Sequence, residues 1–218
     1  MQTMKKDMAG AAHMLALAEM LMSSQCPVQL SVWIAAVDNS ISAASYLPGD
    51  VVTARNGTTI EIGHTDAEGR LLLADLLSAA SSDQPDYVID YATLTGAQRV
   101  ALGMELPAVF SSNITLAHSL QKIGDQHHDP VWPLPLYQPY KSQLDSDIAD
   151  TSSTGKSPYG GAITAALFLE QFVPPSASWL HIDASCFNTT ARPDRPRGGE
   201  AMALEALFYF VVQLVQPV

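Results

Sequence analysis

Positive charge is scarce in this sequence. Only 11 Lys and Arg stand against 22 Asp and Glu, for a formal net charge of -11 and a sequence pI near 4.7. The one basic grouping is Arg192, Arg195 and Arg197. A surface of this sign repels phosphate backbones, which excludes nucleic acid as a partner. Cysteine is nearly absent too. Cys26 and Cys186 are too few for a disulfide framework, and their apolar surroundings predict buried free thiols. No apolar run approaches the ~18 residues of a membrane span, so no membrane association is expected. The first residues, Met1 to Asp7, carry lysines but no apolar signal-peptide core. Together these absences predict a cytoplasmic protein.

Several catalytic signatures are missing as well. There is no Gly-x-Ser-x-Gly elbow of the serine hydrolases. Thr154-Gly155-Lys156-Ser157 has the end of a phosphate-binding loop, but Asp150 stands where that loop needs glycine, and Pro158 blocks the following helix. Asp125-Gln126-His127-His128-Asp129 has zinc-binding residue types without the helical spacing of a zinc site, and reads as a solvated loop.

What is present is a chain of 218 residues, 47% hydrophobic, long enough to bury one sizeable core. Residues 7–22 read as a helix burying Met14, Leu17 and Leu21, with Asp7 at the N-cap and His13 on the exposed face. The run 28–37 is apolar and β-rich, and predicts a buried strand. Asn56-Gly57 between Val51–Ala54 and Thr59–Ile62 predicts a hairpin. A helix over 69–80, a strand over 87–92, a short strand at 109–110 and a helix over 113–124 follow. Residues 125–160 read as a long irregular segment of the kind that is functional or mobile. A helix over 161–172, a buried strand over 179–183 that includes a core His181, and an apolar closing helix over 200–215 complete the pattern. Alternating strands and helices predict an α/β fold: a three-layer helix/sheet/helix arrangement with a mixed, largely parallel central sheet.

The stretch with most chemistry is Gly63-His64-Thr65-Asp66-Ala67-Glu68-Gly69-Arg70, just ahead of a leucine-rich helix. Asp66, Glu68 and Arg70 alternate, and on an extended backbone they would share one side. Two acids facing one way suit a divalent cation, and an adjacent arginine suits an anion or a polarised carbonyl. Thr65-x-x-Glu68 also has the form of a capping box for the following helix, with Leu72, Leu73, Leu76, Leu77 and Ala80 inward. The two readings are compatible.

Thr65-Asp66-Ala67-Glu68-Gly69-Arg70-Leu71 resembles the signature of the leucine (cytosol) aminopeptidases, nearest to the peptidase B type. Further blocks fit in order: Met4–Ala12, Pro48–Val51, Ala92–Ala97, Ala149-Asp150, Gly161–Ala166 and Trp179–Asp183. The resemblance covers the whole of 1–218 as the C-terminal part of that family's catalytic domain. It implies a metal-dependent aminopeptidase that removes N-terminal residues from peptide substrates with two divalent cations, Mn²⁺ or Zn²⁺, and a homo-oligomer that is hexameric in the family. Carried over, Asp66 and Glu68 become metal ligands, Glu68 bridging both ions, and Asp7 ligates the tighter-bound one. Arg70 holds a bicarbonate acting as general base. Met4, Leu94 and Gly96 line the pocket for the first side chain, with Thr93 near the substrate backbone.

The sequence departs from the family in two ways. His64 replaces the signature asparagine, and would narrow the substrate cleft or add a metal ligand. The family also draws a lysine ligand, a bridging aspartate and a second lysine from positions before the Asp7 block, and none of these lies within the 218 residues. The expectation is an isolated chain that is truncated on its N-terminal side, binds metal weakly and hydrolyses little. The alternative is a non-catalytic assembly or binding subunit derived from the family.

Overall fold

The computed structural model describes residues 3–38, 42, 43 and 45–215. In chain order, a 3₁₀ turn over Met4–Met8 leads into α1 (Ala9–Ser23), followed by strands β1 (Val51–Thr53) and β2 (Thr59–Glu61). A second 3₁₀ turn, Thr65–Ala67, opens α2 (Glu68–Ser81), and then come β3 (Tyr87–Ala92), α3 (Gly96–Leu102), β4 (Ala108–Phe110) and α4 (Ile114–Gln126). After β5 (Trp132–Pro133), a 3₁₀ stretch Gln138–Leu144 and β6 (Thr151–Ser152), the chain forms α5 (Gly161–Glu170), β7 (Ser178–Asp183), the short pair β8 (Phe187–Asn188) and β9 (Gly198–Gly199), and α6 (Leu204–Val215). The fold is α/β with mixed sheets, as the alternation predicted.

The chain divides into two compact units. The first comprises Met1–Val32, Ile89–Pro135 and Trp179–Val218. Its sheet runs β3-β7-β4-β5, with β4 antiparallel to β7 and parallel to β5. Leu17 and Leu21 of α1, Leu120 and Ile123 of α4, and Leu207 and Phe210 of α6 close over Val109, Leu180 and Ile182. Each such aliphatic side chain contributes roughly 1.5–3 kcal/mol when fully removed from water. Helix α1 comes so near β3 that a Cβ at Gly10 would overlap the Tyr91 carbonyl oxygen, so only glycine fits there. The helix ends where Gln25 adopts a left-handed φ of 55°.

The second unit comprises Trp33–Val88 and Leu136–Ser178. Asn56-Gly57 forms the expected hairpin, with Gly57 at φ 90° and β1 antiparallel to β2. β2 pairs in parallel with β6. Helix α5 is buried nearly all round, through Ala162, Ala165, Leu167, Phe168 and Leu169, and packs on α2. On α2 the fully buried positions are Ala74, Leu77 and Ala79, while Leu72, Leu73, Leu76 and Ala80 are half-buried.

Four local expectations are corrected. The run 28–37 is not a strand but irregular and mostly exposed, because no strand among the described residues pairs with it and apolar composition alone cannot make a ladder. Asp7 does not cap a helix: α1 begins at Ala9 after Met8, without a side-chain cap. His13 is buried, 6% exposed, stacked on Tyr91 at 4.3 Å, and accepts the Met202 N–H at Nε2. The 125–129 segment is not merely solvated. Asp129 accepts the Ala203 and Ala206 N–H groups (2.7 and 3.1 Å), so its carboxylate caps the N-terminus of α6. That capping explains why the closing helix starts at Leu204 rather than at 200. Both cysteines are free thiols, Cys186 buried and Cys26 half-buried. Among the described residues, no helix is long and apolar enough to cross a membrane.

Candidate active site

The first unit holds Met4, Asp7, Thr93, Leu94 and Gly96. The 3₁₀ turn presents Met4 and Asp7 to solvent. Asp7 accepts a 2.7 Å hydrogen bond at Oδ1 from the Thr93 hydroxyl, so an acid near the start of the chain meets the loop that follows β3. That loop is held by a residue the motif reading passed over. Asp183, at the end of β7 and 1% exposed, accepts the Leu94 N–H (3.0 Å), the Thr95 N–H (3.1 Å) and the Thr95 hydroxyl (2.6 Å). Thr95 in turn caps α3 by accepting the Gln98 N–H at 2.9 Å. Burial pushes the Asp183 carboxyl above the usual carboxylate value, opposed by the charge of His181 and by these hydrogen bonds.

Behind the loop, Asp90 of β3 takes the Trp179 indole N–H at 2.7 Å and pairs with His181 Nδ1 at 2.6 Å. His181 is thus the core histidine expected from its apolar strand. Tyr91 donates to the Met202 carbonyl (2.8 Å) and contacts the Cys186 thiol (3.2 Å). Burial raises the Tyr91 hydroxyl well above its ordinary value and pushes the Cys186 thiol up to about 11.

The second unit holds His64, Asp66, Glu68 and Arg70. Two sequence readings of this stretch are corrected. The capping box does not form: His64 Nδ1, not Thr65, accepts the Asp66 N–H at 3.1 Å, and α2 begins at Glu68 without a side-chain cap. The backbone is not extended either. Residues 65–67 form a 3₁₀ turn and Glu68 opens α2, so Glu68 and Arg70 lie about 200° apart around the helix axis rather than on one side. The leucine-rich helix wins because its apolar face has α5 to bury against.

Arg70 Nη1 donates to the Ser153 carbonyl at 2.6 Å. Ser153 is fully buried and also binds the signature loop, its hydroxyl accepting the Gly63 N–H at 3.0 Å and its own N–H donating to the Glu61 carbonyl at 2.8 Å. A Cβ at Gly63 would overlap the Thr154 hydroxyl, which requires glycine ahead of His64. Nothing in the sequence flagged Ser153. Asp66 is exposed and Glu68 half-exposed, and neither carboxylate accepts a hydrogen bond among the described residues. Glu68 is near enough to Tyr46 to help raise that hydroxyl, after the larger effect of burial. Hard oxygen donors not already engaged by the protein suit a divalent cation. Among the described residues, no three His, Cys, Asp or Glu side chains are grouped to hold a metal.

The first unit has a separate cavity of about 380 Å³, lined by Glu105, His128, Asp129, Arg192 and Arg195 among others. None of the site residues expected from the sequence lines it. Its arginines are neutralised by ion pairs, Arg192 with Glu105 and Arg195 with Glu200.

The catalytic-domain profile of the cytosol aminopeptidase family matches residues 1–208. The chain belongs to the cytosol aminopeptidase family. A probable cytosol aminopeptidase of Syntrophotalea carbinolica is 44% identical over 215 residues, which is 98% of this chain and 43% of that protein. One from Parasynechococcus marenigrum is 46% identical over 196 residues, 89% of this chain and 39% of that protein. The crystal structure of cytosol aminopeptidase from Coxiella burnetii superposes with a TM-score of 0.94 at 50% identity, covering 97% of this chain and 46% of that one. A tomato leucine aminopeptidase variant gives 0.84 at 38% identity, covering 97% and 41%. The chain therefore spans less than half the length of these relatives.

Proposed function

We propose that these 218 residues are the C-terminal part of the catalytic domain of a metal-dependent aminopeptidase that removes N-terminal residues from peptides. The observation that carries this reading is the signature Asp66-Ala67-Glu68-Gly69-Arg70, which sets two unengaged carboxylates at the opening of α2 in a chain of this family. By the family resemblance, Asp66 and Glu68 would offer oxygen ligands to divalent cations, Mn²⁺ or Zn²⁺, and Asp7 of the first unit is the further acid that the resemblance names as a ligand. When bound, the cations supply Lewis-acid polarisation of the scissile carbonyl and activation of water. Thr93 orients Asp7 through its hydroxyl. Met4, Leu94 and Gly96 receive the substrate's first side chain, and the Asp183 clamp fixes the backbone of Leu94 and Thr95 beside them. Arg70, anchored on Ser153, binds the bicarbonate expected from the family resemblance. His64 is fixed by the Asp66 N–H and narrows the substrate cleft. The reading includes a cytoplasmic setting and a homo-oligomer, hexameric by the resemblance.

As an isolated chain the protein is expected to bind Mn²⁺ weakly and to cleave leucyl-p-nitroanilide little or not at all. Calorimetric titration with Mn²⁺ should give millimolar-range binding that weakens further in D66N and E68Q. Turnover at ordinary enzyme rates would overturn the inactivity. Binding unaffected by both substitutions would overturn the ligand assignment.

A further inference from the structure

Two acids and a histidine are buried along one face of the first unit's sheet. Trp179, His181 and Asp183 alternate on β7 and so point the same way. Asp90 joins them from the neighbouring β3, and Phe110, the register partner of His181, from β4. Asp90, His181 and Asp183 are 7%, 0% and 1% exposed. An Asp90 carboxylate has no proton to give at its 2.6 Å contact, so His181 Nδ1 donates to Oδ1 while Oδ2 takes the Trp179 indole N–H. The rings of Phe110 and Trp179 lie nearly parallel to the imidazole, at 5.8 and 6.1 Å, and wall the pair off from water.

We infer that His181 is a positioning residue of the 93–96 loop: an imidazolium held by Asp90, it balances the Asp183 carboxylate, which in turn fixes the Leu94 and Thr95 backbone. The loop's meaning for substrate rests on the function proposed above. Two buried carboxylates of like sign resist ionising together, because each loses its hydration and neither compensates the other. One cation on the same face lets both stay ionised, the form that accepts all of these donors. Of the groups acting on Asp183, namely His181 and the donors of Leu94 and Thr95, His181 alone can carry positive charge. The Tyr91 hydroxyl and the Cys186 thiol also feel Asp183, and burial keeps both neutral. With a neutral His181, Asp183 would be left without a counter-charge and the loop with a weaker anchor.

The test is nitrogen NMR on the whole chain with ¹⁵N-labelled histidine, using H181Q to assign the His181 signals. Near pH ~7.5, where an ordinary histidine is mostly neutral, both His181 ring nitrogens should carry protons and show imidazolium shifts. D90N should turn the ring neutral and speed exchange of the Leu94 and Thr95 amides roughly tenfold. In an H181Q background the same substitution should leave those rates unchanged, because Asp90 acts through the imidazole. A ring with a single proton in the wild type would overturn the inference. So would an equal effect of D90N with and without His181, which would make Asp90 a local support of the strand. Should D90N fail to fold, the wild-type ring signal decides alone. Neither readout depends on peptide cleavage, so failure here leaves the aminopeptidase reading standing, and Mn²⁺ binding unmoved by D66N and E68Q would leave the His181 assignment standing.

Discussion

Replacing Asp183 tests whether one buried carboxylate holds the Thr93–Gly96 loop. In D183A the Leu94 N–H, the Thr95 N–H and the Thr95 hydroxyl all lose their acceptor in a site 1% exposed. Leaving a buried donor unsatisfied costs about 1–3 kcal/mol, so a total near 3 kcal/mol is expected at the low end. For a chain of this size that is a fall of roughly 6–12 °C in thermal midpoint. D183N keeps one carbonyl acceptor and should lose roughly 1 kcal/mol. The two variants also separate by pH. Burial raises the folded-state pKa of Asp183 above 3.8, so the folded chain holds this proton more tightly than the unfolded chain. The contribution is therefore fully present below the unfolded value and lost as pH rises through the folded one. The stability of the wild type minus that of D183N should fall as pH climbs from about 3.8, then level off. Urea melts across pH read the difference, and hydrogen exchange at Leu94 and Thr95 reads the loop. If D183A melted within half a degree of the wild type, or those amides kept their protection, the clamp would be refuted.

The Cys186 thiol, raised from 9.0 to about 11, should hold roughly 100-fold less thiolate at neutral pH than an unperturbed thiol. Ellman's reagent should then label half-buried Cys26 first, and equal rates in C26S and C186S would contradict this. Burial lowers the pKa of His13, against the pull of the Ala9 carbonyl and Asp129. Its contribution is present above 6.5 and lost as pH falls through the folded value, so melting temperature should drop on acidification below 6.5. H13Q should flatten that part of the profile, and an unchanged slope would show that His13 is not the group responsible.

Local chemistry was legible wherever neighbours in sequence decide the outcome. Asn56-Gly57 turned as its dihedral preferences require, the leucine and alanine runs became α2 and α5, and β3 and β7 lie where β-rich apolar stretches predicted them. The signature at 65–71 identified the family without any coordinates. Asp183 was visible only as the end of a strand, and Ser153 not at all. Their roles are hydrogen bonds to residues 88 and 83 positions away, and no local pattern encodes such a pairing. The same limit explains the two misread termini, where Asp7 answers to Thr93 and the N-terminus of α6 answers to Asp129. Composition and motif thus determined by themselves the family, the acidic character and most elements. Tertiary structure alone decided which carboxylate clamps a loop, that His13 is buried, and that 28–32 pairs with no strand among the described residues. The physical reason is that turns and helices close their own hydrogen bonds within a few residues. A buried acid or a β-strand is satisfied only by groups brought from elsewhere.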